Sequence, residues 1–236
     1  MATIGASFMN SFTSKLEEPV RQHLKSVYAC LTMSTMAAST GAYLQMAYSS
    51  YFSAGFLTVL GAMGCLLTLM FTPDNGKNRL MRVGLLLGFA FCSGLGMGPL
   101  ISIAIAINPS IIVTALTCTS LIFVSFSIAS MTANRGYWLF LGGTLMTLLS
   151  TIILLSFANI FFASQLVFQV NLYIGLAVMC GFVLYDTQMI IEKRRNGDKD
   201  FVTHSVDLFI DLIGIFKRIL IILMEKEAEK SRDKKK

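Results

Sequence analysis

Three aspartates in strongly apolar surroundings are the residues of this 236-residue chain best suited to chemistry. Asp186 lies inside GLAVMCGFVLYDTQMIIEK, from Gly175 to Lys193, and Asp207 and Asp211 lie in SVDLFIDLIGIFKRILIILM, from Ser205 to Met224. Asp207 and Asp211 are four residues apart, so they share one face of a helix. A carboxylate at hydrocarbon depth costs about 2.5–3.5 kcal/mol on insertion scales, so it needs a partner, a water-filled cavity or a proton.

The two acidic segments predict a proton or cation site. Asp186 precedes the end of its apolar run by five residues and Asp211 follows the start of the next by six, so both should lie about 7–9 Å from the same side of a helical hairpin. Two carboxylates that are close in a low dielectric can hold one proton between them. When ionised they would repel each other and attract a cation such as calcium, which prefers oxygen ligands.

Other interpretations of these acids stay open. Asp186 could be a helix-end residue that reaches the membrane interface, and Asp207 could be a first-turn acid favoured by the helix dipole. A basic partner on the same side would instead latch the helices, and Arg82 or Arg79 could fill that part.

The composition predicts a polytopic α-helical membrane protein. Hydrophobic residues make up 55% of the chain and charged residues 14%, against about 25% charged in a typical soluble domain. The net charge of +6 resides in loops and in the tail, so it does not indicate nucleic-acid binding. No nucleophile–base pair or nucleotide loop indicates an enzyme, no cofactor is implied, and His23 and His204 stand alone in the sequence, which argues against a metal site.

Seven apolar segments organise the chain between a polar leader, residues 1–26, and a charged tail, residues 225–236. Their approximate bounds are 27–46, 52–71, 83–107, 111–131, 139–157, 170–191 and 205–224. We expect a seven-helix bundle over residues 27–224 whose last helix is central or re-entrant. Pro99, within Gly96-Met97-Gly98-Pro99, predicts a kink or a break in the third segment.

The lysines and arginines predict the orientation. They cluster before the first segment and in the second, fourth and sixth connections, whereas the first, third and fifth connections hold none. Because cytoplasmic loops carry the excess of basic residues, the N-terminus should be cytoplasmic. A fully crossing seventh segment would place the basic tail on the other side, against the same rule.

The chain resembles the Bax-inhibitor family, the transmembrane BAX inhibitor motif proteins, and in particular its animal members of the endoplasmic reticulum. The matching stretches are Asn171–Leu176, Gly181–Gln188, Ile190–Lys193, Gly84–Pro99, Ala106–Ser110, Tyr137–Gly143 and Asp207–Asp211. The resemblance implies a seven-helix protein of the endoplasmic reticulum membrane that suppresses cell death and leaks calcium in response to pH.

The resemblance also implies roles for single residues. A di-aspartyl sensor of the sixth and seventh helices matches Asp186 and Asp211, and Arg82 is the best counterpart of a latching arginine. The family's lysine-rich tail, linked to proton sensing and partner binding, matches Lys230, Lys234, Lys235 and Lys236. Partners of the family type are anti-apoptotic Bcl-family proteins and stress-sensor kinases of the same membrane.

Two functions therefore compete at the level of the sequence. The first is a calcium leak channel, or a proton-coupled calcium exchanger, gated by Asp186 and Asp211. The second is a membrane scaffold that binds cell-death and stress-response proteins without conducting ions, in which the buried acids serve only the fold.

Overall fold

The computed structural model of the chain describes residues 16–48 and 55–233, and over these residues it contains seven helices and no strand. The helices are α1 Glu18–Ala47, α2 Phe56–Phe71, α3 Arg79–Ile107, α4 Ser110–Thr132, α5 Leu141–Phe162, α6 Gln165–Arg195 and α7 Phe201–Asp233. Seven helices in the predicted order confirm the all-α membrane fold. The predicted turns are also present, since Gly76 and Gly136 adopt φ values of +76° and +71°, which glycine tolerates best.

Four helices, α3 to α6, are long and apolar enough to cross a membrane, and α2 is a shorter apolar helix of 16 residues. Large apolar side chains on α5 point outward, among them Leu154, Phe157 and Ile160. Exposed apolar surface on this scale is typical of a protein surrounded by lipid. The first and last helices extend beyond the predicted spans, because α1 begins at Glu18 and α7 continues to Asp233.

The predicted break at Pro99 is wrong, because α3 is one continuous helix from Arg79 to Ile107 with Pro99 inside it. The hydroxyl of Ser102 donates a hydrogen bond to the carbonyl of Gly98 at 3.0 Å. Serine side chains and neighbouring helices commonly compensate for proline in membrane helices. One turn earlier, a Cβ atom on Gly94 would overlap the backbone of Ala38, so small residues allow α1 and α3 to approach closely.

The described residues form two compact units. The α1–α3 unit comprises residues 23–48, 55–112 and 199–209, with a core of Cys30, Leu69, Leu86, Val202 and Val206. The α4–α6 unit comprises residues 16–22, 113–198 and 210–233, with a core that includes Leu145, Ile152, Val178 and Phe182. Helix α7 contributes its first turns to the α1–α3 unit and the rest to the α4–α6 unit.

Candidate functional site

Helices α6 and α7 pack against each other in the α4–α6 unit and run antiparallel. A Cβ atom added to Gly175 of α6 would lie 2.9 Å from Nη2 of Arg218, and one added to Gly214 of α7 would lie 2.9 Å from Sδ of Met179. From the first contact to the second, the residue number rises by four on α6 and falls by four on α7. The contacts therefore define the register of the pair.

Helix α7 runs beside α6 and reaches the N-terminal end of α6. Nε2 of Gln165, the first residue of α6, donates a hydrogen bond to Oε1 of Glu225 at 3.1 Å. Within the described residues α7 is one continuous helix of 33 residues, so it does not fold back on itself. The re-entrant alternative for the last helix is therefore wrong, and its central position stays a prediction.

The register indicates which part of α6 lies at the level of Asp211. Extended by one turn, it sets Asp211 opposite Phe182, and Asp186 lies one turn, about 6 Å, further along α6. Asp211 is 4% exposed, Asp186 is half-buried, and the Asp211 carboxylate interacts electrostatically with Cys180. Buried apolar side chains flank this level of the pair: Met179, Phe182, Val183 and Ile215. The roles of the two acids as sensor and gate stay predictions.

The other predicted site residues fall in different places. Asp207 is half-buried one turn before Asp211. Lys230 is exposed near the end of α7. Three tail lysines lie outside the described residues: Lys234, Lys235 and Lys236.

Arg82, the predicted latch, is 3% exposed in the α1–α3 unit and has acidic partners there. Its Nη2 donates hydrogen bonds to Oδ2 of Asp200 at 2.6 Å and to the hydroxyl of Thr203 at 2.9 Å, and its Nη1 lies 3.4 Å from Asp74. Arg79 is exposed, with its guanidinium 4.4 Å from the centre of the Phe201 ring. A latch on the Asp186–Asp211 pair stays a prediction for both arginines.

Asp200 is a site residue that the sequence interpretation missed. Its Oδ1 accepts from the backbone N–H of Thr203 at 3.1 Å and its Oδ2 accepts from the Thr203 hydroxyl at 2.7 Å. Burial alone would raise the pKa of Asp200, but the hydrogen bonds from Arg82 and Thr203 outweigh it and hold the pKa below its usual range. An aspartate directly before the first residue of a helix is a capping signal that could have identified it.

A second missed cluster lies at the C-terminal end of α6. Glu192 accepts from Nε of Arg135 at 2.9 Å and from Nη1 of Arg195 at 2.7 Å. Nearby, Gln188 accepts from the backbone N–H of Trp138 at 2.5 Å and donates to the carbonyl of Asn134 at 2.9 Å. A cavity of about 180 Å³ is lined in part by Asn134, Arg135, Gln188, Glu192 and Arg195. The α4–α5 loop is therefore bonded to α6.

The two histidines, which stand alone in the sequence, meet in the structure. Nε2 of His23 lies 2.9 Å from Nδ1 of His204. Among the described residues no three or more His, Cys, Asp or Glu side chains are grouped to hold a metal ion.

Comparison with known proteins assigns the chain to a family. The family model described as Inhibitor of apoptosis-promoting Bax1 matches residues 20–228. Bax inhibitor 1 of Sus scrofa is 46% identical over 94% of this chain and 93% of its own length. The proteins of that name from Drosophila melanogaster and Arabidopsis thaliana are 42% and 40% identical, over 97% and 92% of this chain and 93% and 86% of their own lengths. The chain belongs to the Bax inhibitor family.

Proposed function

We propose that this protein is a pH-sensitive calcium leak channel of the endoplasmic reticulum membrane that suppresses apoptosis, with Asp186 and Asp211 as its gate. Family membership supports a membrane protein that suppresses cell death. The observation that supports the gate is the burial of Asp211, 4% exposed, on α7, whose register with α6 sets it at a level about one turn along α6 from Asp186.

The proposed gate works through the number of protons on the pair. With one proton, one carboxyl donates a hydrogen bond to the other, and the two helices stay together. With none, two negative charges repel each other strongly, because the flanking side chains are apolar and the local dielectric is low. Separation of the two carboxylates would admit a cation, and their oxygens suit calcium as a passing ion.

The direction of α7 bears on the alternative of a scaffold that uses its tail in the cytosol. The contact between Gln165 and Glu225 puts the beginning of the tail at the N-terminal end of α6, away from the basic connection that follows Arg195. If that connection is cytoplasmic, as its lysines and arginines predict, the beginning of the tail lies on the lumenal side, which departs from the rule that basic segments stay cytoplasmic. Anti-apoptotic Bcl-family partners and stress sensors would then have to bind another surface of this protein, or reach the tail through a lumenal domain of their own.

Calcium efflux from liposomes that hold the purified protein tests the gate. Over a pH series we expect wild-type efflux to vary with pH, and Asp186→Asn and Asp211→Asn each to flatten that dependence and change the efflux several-fold. Asp198→Asn is the matched control, because Asp198 is an exposed acid of the neighbouring loop. No wild-type efflux, or efflux that neither substitution alters, would exclude the leak and leave the scaffold that binds cell-death proteins.

A further inference from the structure

Arg218 is a basic residue within the apolar segment 205–224 of α7, and its side chain lies in the contact between α7 and α6. A Cβ atom added to Gly175 of α6 would lie 2.9 Å from Nη2 of Arg218 and 3.0 Å from its Cζ. A larger residue at position 175 would therefore occupy the space of the guanidinium. The arginine is half-buried, and the glycine makes room for a charged group between the two helices.

The side chain of Arg218 points back along α7, away from the tail. Its Nη1 donates a hydrogen bond to the carbonyl of Gly214 at 3.3 Å and would lie 3.7 Å from a Cβ atom at that glycine. The nearer end of the apolar segment is at Met224, and an arginine that snorkels extends its charge toward the nearer water. The guanidinium of Arg218 extends in the other direction, toward the level of Asp211.

The charge of Arg218 lies close to the acids without being paired to them. Within the described residues the guanidinium forms no ion pair, and the carbonyl of Gly214 is its hydrogen-bond acceptor. Asp211 precedes Arg218 by seven residues, so both lie on the same side of α7. Gly214 follows Asp211 by three residues, so the guanidinium lies about one turn from the level of that acid. An unpaired charge inside an apolar segment is expensive, which favours a functional role.

We propose that Arg218 is a fixed positive charge on the cation path between α6 and α7, on the tail side of Asp186 and Asp211, and that it limits the flow of divalent cations. This role rests on the proposed function, because the path is the one that the gate opens. A cation that has passed the two acids comes within about one turn of the guanidinium and is repelled. The repulsion is proportional to the charge of the ion, so calcium is held back more than a monovalent cation.

Efflux of two cations from liposomes that hold the full chain tests the charge. We expect Arg218→Met to raise sodium efflux about threefold and calcium efflux about ninefold, because the barrier removed is twice as high for an ion of twice the charge. Arg218→Lys keeps the charge and should keep both rates within about twofold of wild type. Lys217→Met is the matched control, since Lys217 is exposed next to Arg218, and it should change neither rate.

The ratio of the two gains distinguishes a charge from a packing role. Equal gains for sodium and calcium, or the same gains in Arg218→Lys as in Arg218→Met, would show that the side chain acts through its shape and would overturn the fixed charge. Thermal unfolding in detergent checks that each variant is folded. If Arg218→Met is unfolded, Arg218→Gln, which retains a polar side chain, takes its place with the same expected gains.

Cysteine labelling tests the position of the charge without calcium. We expect Arg218→Cys to react with a charged, membrane-impermeant thiol reagent, present on both sides of the liposome membrane, about tenfold faster than wild type, because the reactive thiolate forms where water reaches the sulfur. Wild type, with its five native cysteines, measures the background. A rate no faster than this background would place residue 218 in a dry contact and would overturn the path.

The efflux experiment also separates this proposal from the proposed function. If wild type conducts calcium and Arg218→Met leaves both rates unchanged, the gate at Asp186 and Asp211 stands while the fixed charge is overturned. If wild type conducts no calcium at any pH, the proposed function fails, and the fixed charge then stands only if Arg218→Met conducts.

Discussion

The two units each contain a buried ionic cluster, and the two clusters have opposite signs at their centres. In the α1–α3 unit a buried cation, Arg82, contacts the acids Asp200 and Asp74. In the α4–α6 unit a buried anion, Glu192, 9% exposed, contacts Arg135 and Arg195. Both clusters join a helix to residues of a neighbouring connection.

The clusters differ in how firmly their partners are held. Asp200 is fixed to Arg82 and also to the backbone and hydroxyl of Thr203. Arg135, by contrast, is 68% exposed, so water competes for its bond to Glu192. The comparison indicates that the Arg82 cluster contributes more to stability. The cost of breaking either cluster should depend mainly on the charge that is left buried.

Removal of the buried cation should have the largest effect. We expect Arg82→Met to lower the free energy of unfolding by about 3–5 kcal/mol, because it leaves Asp200 without its cation. Arg79→Met, at an exposed arginine stacked on Phe201, should cost about 0.5–1 kcal/mol. Thermal unfolding in detergent measures both. Equal losses would contradict the importance of the buried cluster, and partial recovery in Arg82→Met/Asp200→Asn would support it.

Lowering the pH should weaken the Arg82 cluster. Because the pKa of Asp200 is lower in the folded protein than its ordinary 3.8, its contribution to stability is present above that pH and is lost as the pH falls through the folded value. Asp200→Asn should therefore be less stable than wild type at pH 7, with the difference shrinking below about pH 4. Melting temperatures of wild type and Asp200→Asn at pH 7 and below about pH 4 measure this difference. For Asp198→Asn, the difference in stability from wild type should not shrink at low pH. If Asp200→Asn were less stable than wild type by the same amount at both pH values, ionised Asp200 would not be the source of the lost stability.

The cluster around Glu192 should give the smallest effects. Glu192→Gln should cost about 1–3 kcal/mol, since it removes the nearer acidic partner of half-buried Arg195, whose other acid, Glu17, lies 3.4 Å away. Arg135→Ala should cost less than Glu192→Gln, because the arginine is mostly in water. Chemical unfolding in detergent compares them. If Arg135→Ala were the more damaging, the exposed arginine rather than the buried acid would hold the α4–α5 loop to α6.

The sequence predicted much of the fold because its signals are local. Apolar runs of about 20 residues indicate membrane helices wherever they pack, and turns such as the one at Gly136 follow from residue type. It also predicted the acidic faces of the last two helices, since spacing along a helix determines which residues share a face. The alternative of a break at Pro99 was wrong because the helix continues past it, whereas the kink stays a prediction.

By itself, then, the sequence determined that this is a helical membrane protein with acids inside apolar helices. Only the tertiary structure decided the partners of those helices. The meeting of His23 with His204, the pairing of Arg82 with Asp200 and the course of α7 beside α6 as far as Gln165 all join distant segments. The physical reason is that helix packing sets such contacts through shape and register, which a pattern along one chain does not encode locally.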